Sequence, residues 1–419
     1  MKLIVLCPHF EPDTAPTGVV VTRLVRELAA LGHEVHVVTA LPWYRAHQVE
    51  VGWEGRRTRR EVTDFGSIAR VYPFPARDKR NIARRALGFL AFCAVAGFTA
   101  LRVGRRGGRV DAMFVMSPPL PIGLVGWAVA RLRRAPMVFN VQDIFPDAAI
   151  ATGAITGRRI IALSRLLERA TYRAADAITV LSDDLVENVR AKVSPARRNR
   201  VHMIPNFVDT AAIQPRDRAT AYRLELGIGD EPVVMYAGNL GMSQSLELLV
   251  EAARVLPEIT VVFNGDGSGR AAVEQLAAGL QNVRFAPFQP AERLAEVLAT
   301  ADLHVVPLRR GLGSVSVPSK TYSILAAGRP ILAAIDPGTE IPRILGVSGA
   351  GVCVEPDDPA AFVTALRGLV ADRPALVARG AAGRRWVEGH VSPHAVACQY
   401  EELFRRIAAG RTRTPRISR

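Results

Sequence analysis

A run of short buried strands and amphipathic helices passes through this chain once and then begins again. Met1 to Leu6 reads as a buried strand, followed by a loop from Pro8 to Gly18. Val19 to Leu31 continues as a helix with Leu24, Val25, Leu28 and Leu31 on one face. Gly32 ends that helix, and His33 to Ala40 returns as a strand carrying Val35, Val37 and Val38. Strand, loop, helix, strand is the right-handed crossover unit of a parallel sheet. Further strands are expected at Asp111 to Met116, Pro136 to Val141, Ala177 to Leu181 and Val201 to Ile204. The pattern restarts with strands at Pro232 to Tyr236, Ile259 to Asn264, Val283 to Phe285, Leu303 to Pro307 and Ile331 to Ala333. Two such halves predict two doubly wound, Rossmann-like α/β domains facing a central cleft.

The pattern breaks between Pro205 and Pro215, which puts the domains at 1–205 and 206–390. A C-terminal helix at about 391–409 is expected to pack back on the first domain, and the basic stretch 410–419 to be a disordered tail. Open α/β sheets bind ligands at the carboxyl ends of their strands, so the loops after strands are where chemistry is sought.

Charge narrows the partners. With 54 basic and 39 acidic residues, the formal charge is +15. That excess asks for nucleic acid, anionic lipid or a phosphorylated small molecule. Many of the arginines bracket one apolar stretch, Ala86 to Leu101, with Arg77, Lys79, Arg80, Arg84 and Arg85 before it and Arg102, Arg105, Arg106 and Arg109 after it. A spanning helix needs about 20 apolar residues, so this one is short. Either it is a core helix with basic ends, or it dips into one leaflet while arginines hold anionic headgroups. The second reading is favoured, with Arg80, Arg84, Arg85, Phe89, Phe92, Arg102 and Arg105 as membrane contacts. It explains the charge without nucleic acid, for which a basic stripe interleaved with aromatics is missing. The four cysteines, Cys7, Cys93, Cys353 and Cys398, are too scattered for a zinc site and read as buried thiols of a reducing cytoplasm. The apolar run Leu3 to Cys7 is too short, and meets Pro8 too soon, for a signal peptide.

Three loops carry candidate chemistry. Pro8 to Gly18 precedes a helix, whose free N–H groups suit phosphate. Asn264-Gly265-Asp266-Gly267-Ser268-Gly269 follows a strand; its glycines admit close approach of a phosphate, or simply make a tight turn. Val317-Pro318-Ser319-Lys320-Thr321-Tyr322-Ser323 sets a lysine and hydroxyls at a helix start, suited to neutralising a diphosphate.

Taken in order, these segments resemble the retaining glycosyltransferases of the GT-B fold, family four, and within it a subgroup associated with capsule, O-antigen and colanic-acid sugars. The resemblance spans nearly the whole chain. It rests on Phe10-Glu11-Pro12 with Gly18, Val141-Gln142-Asp143-Ile144-Phe145-Pro146-Asp147, Ile204-Pro205-Asn206-Phe207-Val208-Asp209, Tyr236-Ala237-Gly238-Asn239-Leu240-Gly241, the glycine loop at 264–267, Pro318 to Ser323 and Ala326-Ala327-Gly328-Arg329-Pro330-Ile331. It departs from the family where Asn239 and Gln244 replace an arginine and a lysine, where Val315 and Ser323 replace a pair of glutamates, and where Gln142 replaces a histidine.

The resemblance implies transfer of a hexosyl or N-acetylhexosaminyl group with retention, from a nucleotide sugar to a lipid-linked or saccharide acceptor. Uridine is the default base, and guanosine stays open. Gly18, Asn239, Gln244, Gly265, Gly267, Ser319, Lys320, Tyr322 and Ser323 are the expected donor-binding residues. Lys320 and Asp143 are the expected catalytic groups, Lys320 stabilising the departing diphosphate and Asp143 orienting the sugar or an acceptor hydroxyl. The leaving diphosphate itself is a candidate acceptor of the hydroxyl's proton. Neither a cofactor nor a metal is expected. The anticipated partners are a polyprenyl-linked or glycolipid acceptor and an anionic membrane surface, on the cytoplasmic face of the plasma membrane. A catalytically inactive family member and a dinucleotide-dependent oxidoreductase are the alternatives; the second needs a glycine fingerprint that the first loop lacks.

Overall fold

The computed structural model describes residues 1–45, 48–55, 57–75, 82–105, 108–147, 157–241, 243–312, 318 and 320–412, with the side chains of 82–86 and 411–412 outside the description. Of the expected tail, only 410–412 is described, as the end of a helix. The chain forms two compact units, Met1–Asn206 with Val396–Arg419, and Phe207–Ala395.

The first unit is built on β1 Lys2–Leu6, β2 Glu34–Ala40, β3 Thr58–Thr63, β4 Gly66–Val71, β5 Ala112–Ser117, β6 Met137–Val141, β7 Ala177–Val180 and β8 Val201–Met203. They join in the order β3-β4-β2-β1-β5-β6-β7-β8, parallel except for the β3–β4 hairpin. Strands such as Lys2–Leu6 and Ala112–Ser117 are buried along their whole length, which is why they read as continuous apolar runs. The helices are α1 Pro16–Ala30, α2 Ile82–Ala100, α3 Pro121–Arg133, α4 Arg158–Ala174 and α5 Asp183–Lys192. Strand order reverses at β1, whose neighbours are β2 and β5. A doubly wound sheet opens its ligand crevice at that reversal, beyond the carboxyl ends of the strands.

The second unit repeats the plan with β9 Val233–Ala237, β10 Thr260–Asn264, β11 Val283–Ala286, β12 Leu303–Pro307, β13 Ile331–Ala334 and β14 Gly351–Val354. Their order is β11-β10-β9-β12-β13-β14, all parallel, with the reversal between β9 and β12. Its helices are α6 Ala221–Glu225, α7 Glu247–Val255, α8 Arg270–Leu276, α9 Leu294–Thr300, α10 Lys320–Ala326, α11 Glu340–Ser348, α12 Pro359–Val370 and α13 Arg373–His390. The last helix, α14 Pro393–Thr412, enters the first unit from Val396 onward. There Tyr400 and Phe404 meet the edge of Phe114 on β5, at 5.3 and 6.5 Å between ring centroids.

Candidate functional site

Lys320 opens α10, and its side chain lies over the aromatic face of Tyr236, with Nζ 3.7 Å from the ring centroid. Tyr236 is fully buried on β9, and its hydroxyl donates to the Asn239 carbonyl at 2.6 Å. The lysine therefore sits on the strand beside the sheet reversal. It borders a cavity of about 230 Å³ lined by Ala237, Gly238, Asn264, Phe288, Lys320 and Ser323 among others. No carboxylate of the described residues forms an ion pair with it. Burial without a counter-charge pushes its pKa down to about 7. A desolvated cation without a carboxylate partner, facing a cavity, is a receptor for an anion.

The neighbouring loops are locked to one another. Gly238 N donates to Asn264 O at 2.9 Å, Leu240 N to Asp266 O at 2.9 Å, and Gly269 N to Leu240 O at 2.8 Å. Gly238, Gly265 and Gly267 have φ of +139°, +147° and +157°. A Cβ on Gly265 would lie 1.9 Å from Gly238 O, and one on Gly267 2.5 Å from Leu240 O. These two glycines thus serve loop-to-loop contact. On Gly238 a Cβ would come within 3.0 Å of Lys320 Nζ, so that glycine leaves the ammonium its place. Asn239 is exposed, and Gln244 turns its Oε1 onto the Gly241 amide at 3.0 Å. Ser323 lines the cavity, whereas Tyr322 is packed among Val306, Ile324 and Leu325 and does not line it. Ser319 and Val315 lie outside the described residues.

In the first unit the residues after β6 divide between scaffold and surface. Gln142 is buried in a polar chain: its Nε2 donates to Asn140 Oδ1 at 2.6 Å, and its Oε1 accepts from Asn206 Nδ2 at 2.9 Å. Asn140 in turn donates to Tyr400 and Thr179, at 3.0 and 3.1 Å. Next to it Asp143 is exposed, with no side-chain partner among the described residues. Asp147 is taken up by Lys192, 2.6 Å away, which also holds the buried Glu168 at 2.8 Å. Gly18, on the first turn of α1, lies against the loop after β1, where a Cβ would be 3.0 Å from His9 Cβ.

The apolar helix α2 is two-faced. Phe92 is 2 % exposed and sits in the core with Cys93, Ala96 and Ala100, so its expected membrane contact is corrected: that side of the helix faces the sheet. Leu87, Leu90 and Phe98 are exposed on the other side, with Phe89 half-buried. Arg102 lies 3.7 Å over the Phe98 ring, and Arg105 is exposed. Arg80 and the side chains of Arg84 and Arg85 fall outside the description. α3 packs against both α2 and α4 and exposes Trp127 and Leu132. On α4, Ile160, Leu163 and Leu166 are exposed together with Arg158, Arg159, Arg165 and Arg169. Among the described residues, no helix is long and apolar enough to cross a membrane, and no cluster of His, Cys, Asp or Glu is arranged to hold a metal ion.

Residues 17–206 match a glycosyl transferase 4-like domain, and residues 231–372 match the glycosyl transferases group 1 domain. The putative colanic acid biosynthesis glycosyl transferase WcaI of Escherichia coli is 30% identical over 379 residues, covering 88% of this chain and 91% of that protein. The chain belongs to the family-four glycosyltransferases of the GT-B fold. Solved structures agree on the fold of this glycosyltransferase. Sucrose-phosphate synthase from Thermosynechococcus elongatus has a TM-score of 0.68 at 19% identity, covering 98% of this chain and 100% of that one. HepE of Anabaena, solved with UDP, has a TM-score of 0.65 at 14% identity over 97% of this chain and 100% of its own. In this family-four glycosyltransferase, the two positions that lack the expected positive charges, Asn239 and Gln244, carry a surface amide and a loop brace. Among the described residues, Lys320 is the cation that lines the cavity.

Proposed function

We propose that the protein transfers a hexosyl or N-acetylhexosaminyl group from a nucleotide-diphosphate sugar, uridine-linked by default, to a polyprenyl-linked or other glycolipid acceptor. The reaction serves cell-surface polysaccharide or glycolipid synthesis and keeps the anomeric configuration, as the family resemblance implies. The observation that carries this reading is the desolvated ammonium of Lys320 at the strand reversal of the second unit. A diphosphate entering there restores the counter-charge that the fold withholds, and its negative charge grows as the sugar departs. An interaction that strengthens as the reaction proceeds lowers the barrier rather than only tightening binding. Ser323 and the exposed Asn239 are neutral donors for the same ligand, and Asp143 is the group that orients the sugar or acceptor.

Thermal shift of the purified protein against UDP, GDP, TDP and NAD tests this directly. One nucleoside diphosphate is expected to raise the melting temperature, by about 2.7 kcal/mol of linkage at a hundredfold excess over Kd. Stabilisation by NAD alone overturns the reading.

The acceptor side of the proposal places the protein on the cytoplasmic face of an anionic membrane, peripherally. Its support is the exposed apolar side chains of α2, α3 and α4, three helices that pack side by side, together with the exposed arginines of α4 and Arg102 and Arg105 after α2. Each arginine near such a surface contributes about 1 kcal/mol. Sedimentation with phosphatidylglycerol vesicles is expected, weakening strongly in high salt, with little binding to phosphatidylcholine alone. The pair Leu90→Asp and Leu163→Asp, both at exposed positions, should reduce vesicle binding by tenfold or more with the melting temperature unchanged. Equal binding by the variant removes this surface from the membrane contact.

A further inference from the structure

The cavity beside Lys320 holds a second polar group that the fold leaves half used. Asn264 ends β10, is 5 % exposed, and lines that cavity. Its Oδ1 accepts from the Tyr222 hydroxyl. Its Nδ2 has no partner among the described residues, yet it is not sealed off in the core. A buried amide donor left open to a cavity asks for an acceptor, because an unmade hydrogen bond there is costly.

Neighbouring groups decide which end of this amide faces the cavity. Gln289 offers its Oε1 to Arg293 Nη1 at 3.4 Å. That turns its Nε2 toward Pro287 O, at 3.2 Å, and toward the Tyr222 hydroxyl, its other hydrogen-bond partner. A hydroxyl that accepts from Gln289 keeps its own proton for Asn264 Oδ1. Tyr222 is itself fixed on α6: it is buried, with the Arg293 guanidinium 5.1 Å from its ring centroid. Arg293 in turn is held by Glu225 and Glu296, each at 2.8 Å. Of its two polar ends, the Asn264 amide is therefore left with its donor.

The cavity divides as a nucleotide does. Lys320 stands over Tyr236 on β9. Asn264 pairs in register with Ala286 on β11, where the loop bearing Phe288 and Gln289 begins. Ala291, Leu294, Val297, Leu298 and Ile324 add an apolar wall. Phosphates suit the ammonium, and a flat base suits the wall. One edge of the base is tied to ribose, so the edge remote from that bond is the one Asn264 meets. There uracil, thymine and guanine carry a carbonyl oxygen, whereas cytosine and adenine carry an amino group.

We infer that Asn264, held by Tyr222, selects the donor by its base, taking keto bases and rejecting amino bases; this rests on the nucleotide-sugar reading above. With a keto base, Nδ2 donates to the carbonyl oxygen. With an amino base two donors face each other, and the amide cannot turn to offer its oxygen because Tyr222 holds it. The unpaired groups then count against the wrong ligand.

The test is calorimetric titration of the full chain with UDP, CDP and pyrophosphate. UDP and CDP share ribose, diphosphate and ring size, and differ at the base edge in question. Wild type is expected to bind UDP about 10–100-fold tighter than CDP. Asn264→Leu should lower UDP affinity by that factor and leave CDP and pyrophosphate nearly unchanged, so the ratio falls toward one. Asn264→Asp still accepts from Tyr222 but presents an acceptor to the cavity, and should turn the preference toward CDP. Tyr222→Phe keeps Asn264 and lets its amide turn, so the ratio should shrink in a protein that still melts cooperatively. A residue that merely braces the loop would lower the melting temperature and leave the ratio where it was. A wild-type ratio near one overturns the selection, and so does a ratio unmoved in the folded variants. Equal loss of UDP, CDP and pyrophosphate in Asn264→Leu overturns it as well, by placing the amide on phosphate. A wild type that binds none of UDP, CDP, TDP and GDP overturns the donor reading itself, and the selection with it.

Discussion

Lys320→Met is expected to make the protein more stable and inactive at once. In the unfolded chain the ammonium has its ordinary pKa of 10.5, and in the fold burial lowers it to about 7. Between these values the unfolded state binds more protons, so the stability contributed by this group rises with pH over that interval. Below about 7 both states are charged, and the full cost of burying the ammonium is present. Methionine fills a similar volume on the Tyr236 face without a charge to desolvate. The gain, about 1–3 kcal/mol, should appear as a melting temperature raised by several degrees at pH 6, with the difference shrinking toward pH 10. Transfer should fall by about 10²–10³, the usual loss when one stabilising donor is removed from a developing oxyanion. Nucleotide affinity should report the same proton. In wild type it weakens by about tenfold per pH unit above 7, because the ligand needs the charged form; in the variant it is flat. A lowered melting temperature, or surviving transfer, would remove Lys320 from this role. A stabilised, inactive protein is what a strained site predicts.

Lys320 was legible from its setting, Pro318 and Ser319 before it and a small-residue helix after it. Its partner was not. Tyr236 reads as one more apolar residue of a strand, and only the fold sets its ring beneath the ammonium. The parallel strands were readable because burial on both faces makes them continuous apolar runs. The hairpin β3–β4 escaped for the opposite reason: β3 lies at the sheet edge, half exposed along its length, with Arg59, Arg60 and Glu61 in sequence. The edge strand β14, Gly351–Val354, is short and half-buried and was missed likewise. In α2 the apolar residues run all round the helix, so periodicity could not separate Phe92, which faces the sheet, from Phe98, which does not. His9 lies within the loop from Pro8 to Gly18. The sequence shows only its spacing from Asp13, not the 2.7 Å hydrogen bond that joins the two side chains.

The glycines of the second unit divide in a way that a substitution can measure. Gly265→Ala should cost at least about 3 kcal/mol, combining a disfavoured backbone region with an overlap of two chains. Its φ of +147° lies where a side chain is strained. The added Cβ would fall 1.9 Å from the Gly238 carbonyl, which no rotamer relieves, because both partners are backbone. Gly227→Ala is the control: φ is +65° and nothing lies within 4 Å, so it should cost only about 1 kcal/mol. Urea unfolding of the two variants separates strain in one residue from interlocking of two loops. The larger effect should reach the ligand as well. The carbonyl that must retreat belongs to Gly238, whose Cα faces Lys320 Nζ, so parting the loops displaces the surface on which the ammonium rests. The folded fraction of Gly265→Ala should therefore lose most of its stabilisation by nucleotide, while Gly227→Ala keeps it. Should the two alanines cost the same and bind nucleotide alike, the loops are not interlocked, and Gly265 would again be a residue kept open for a phosphate.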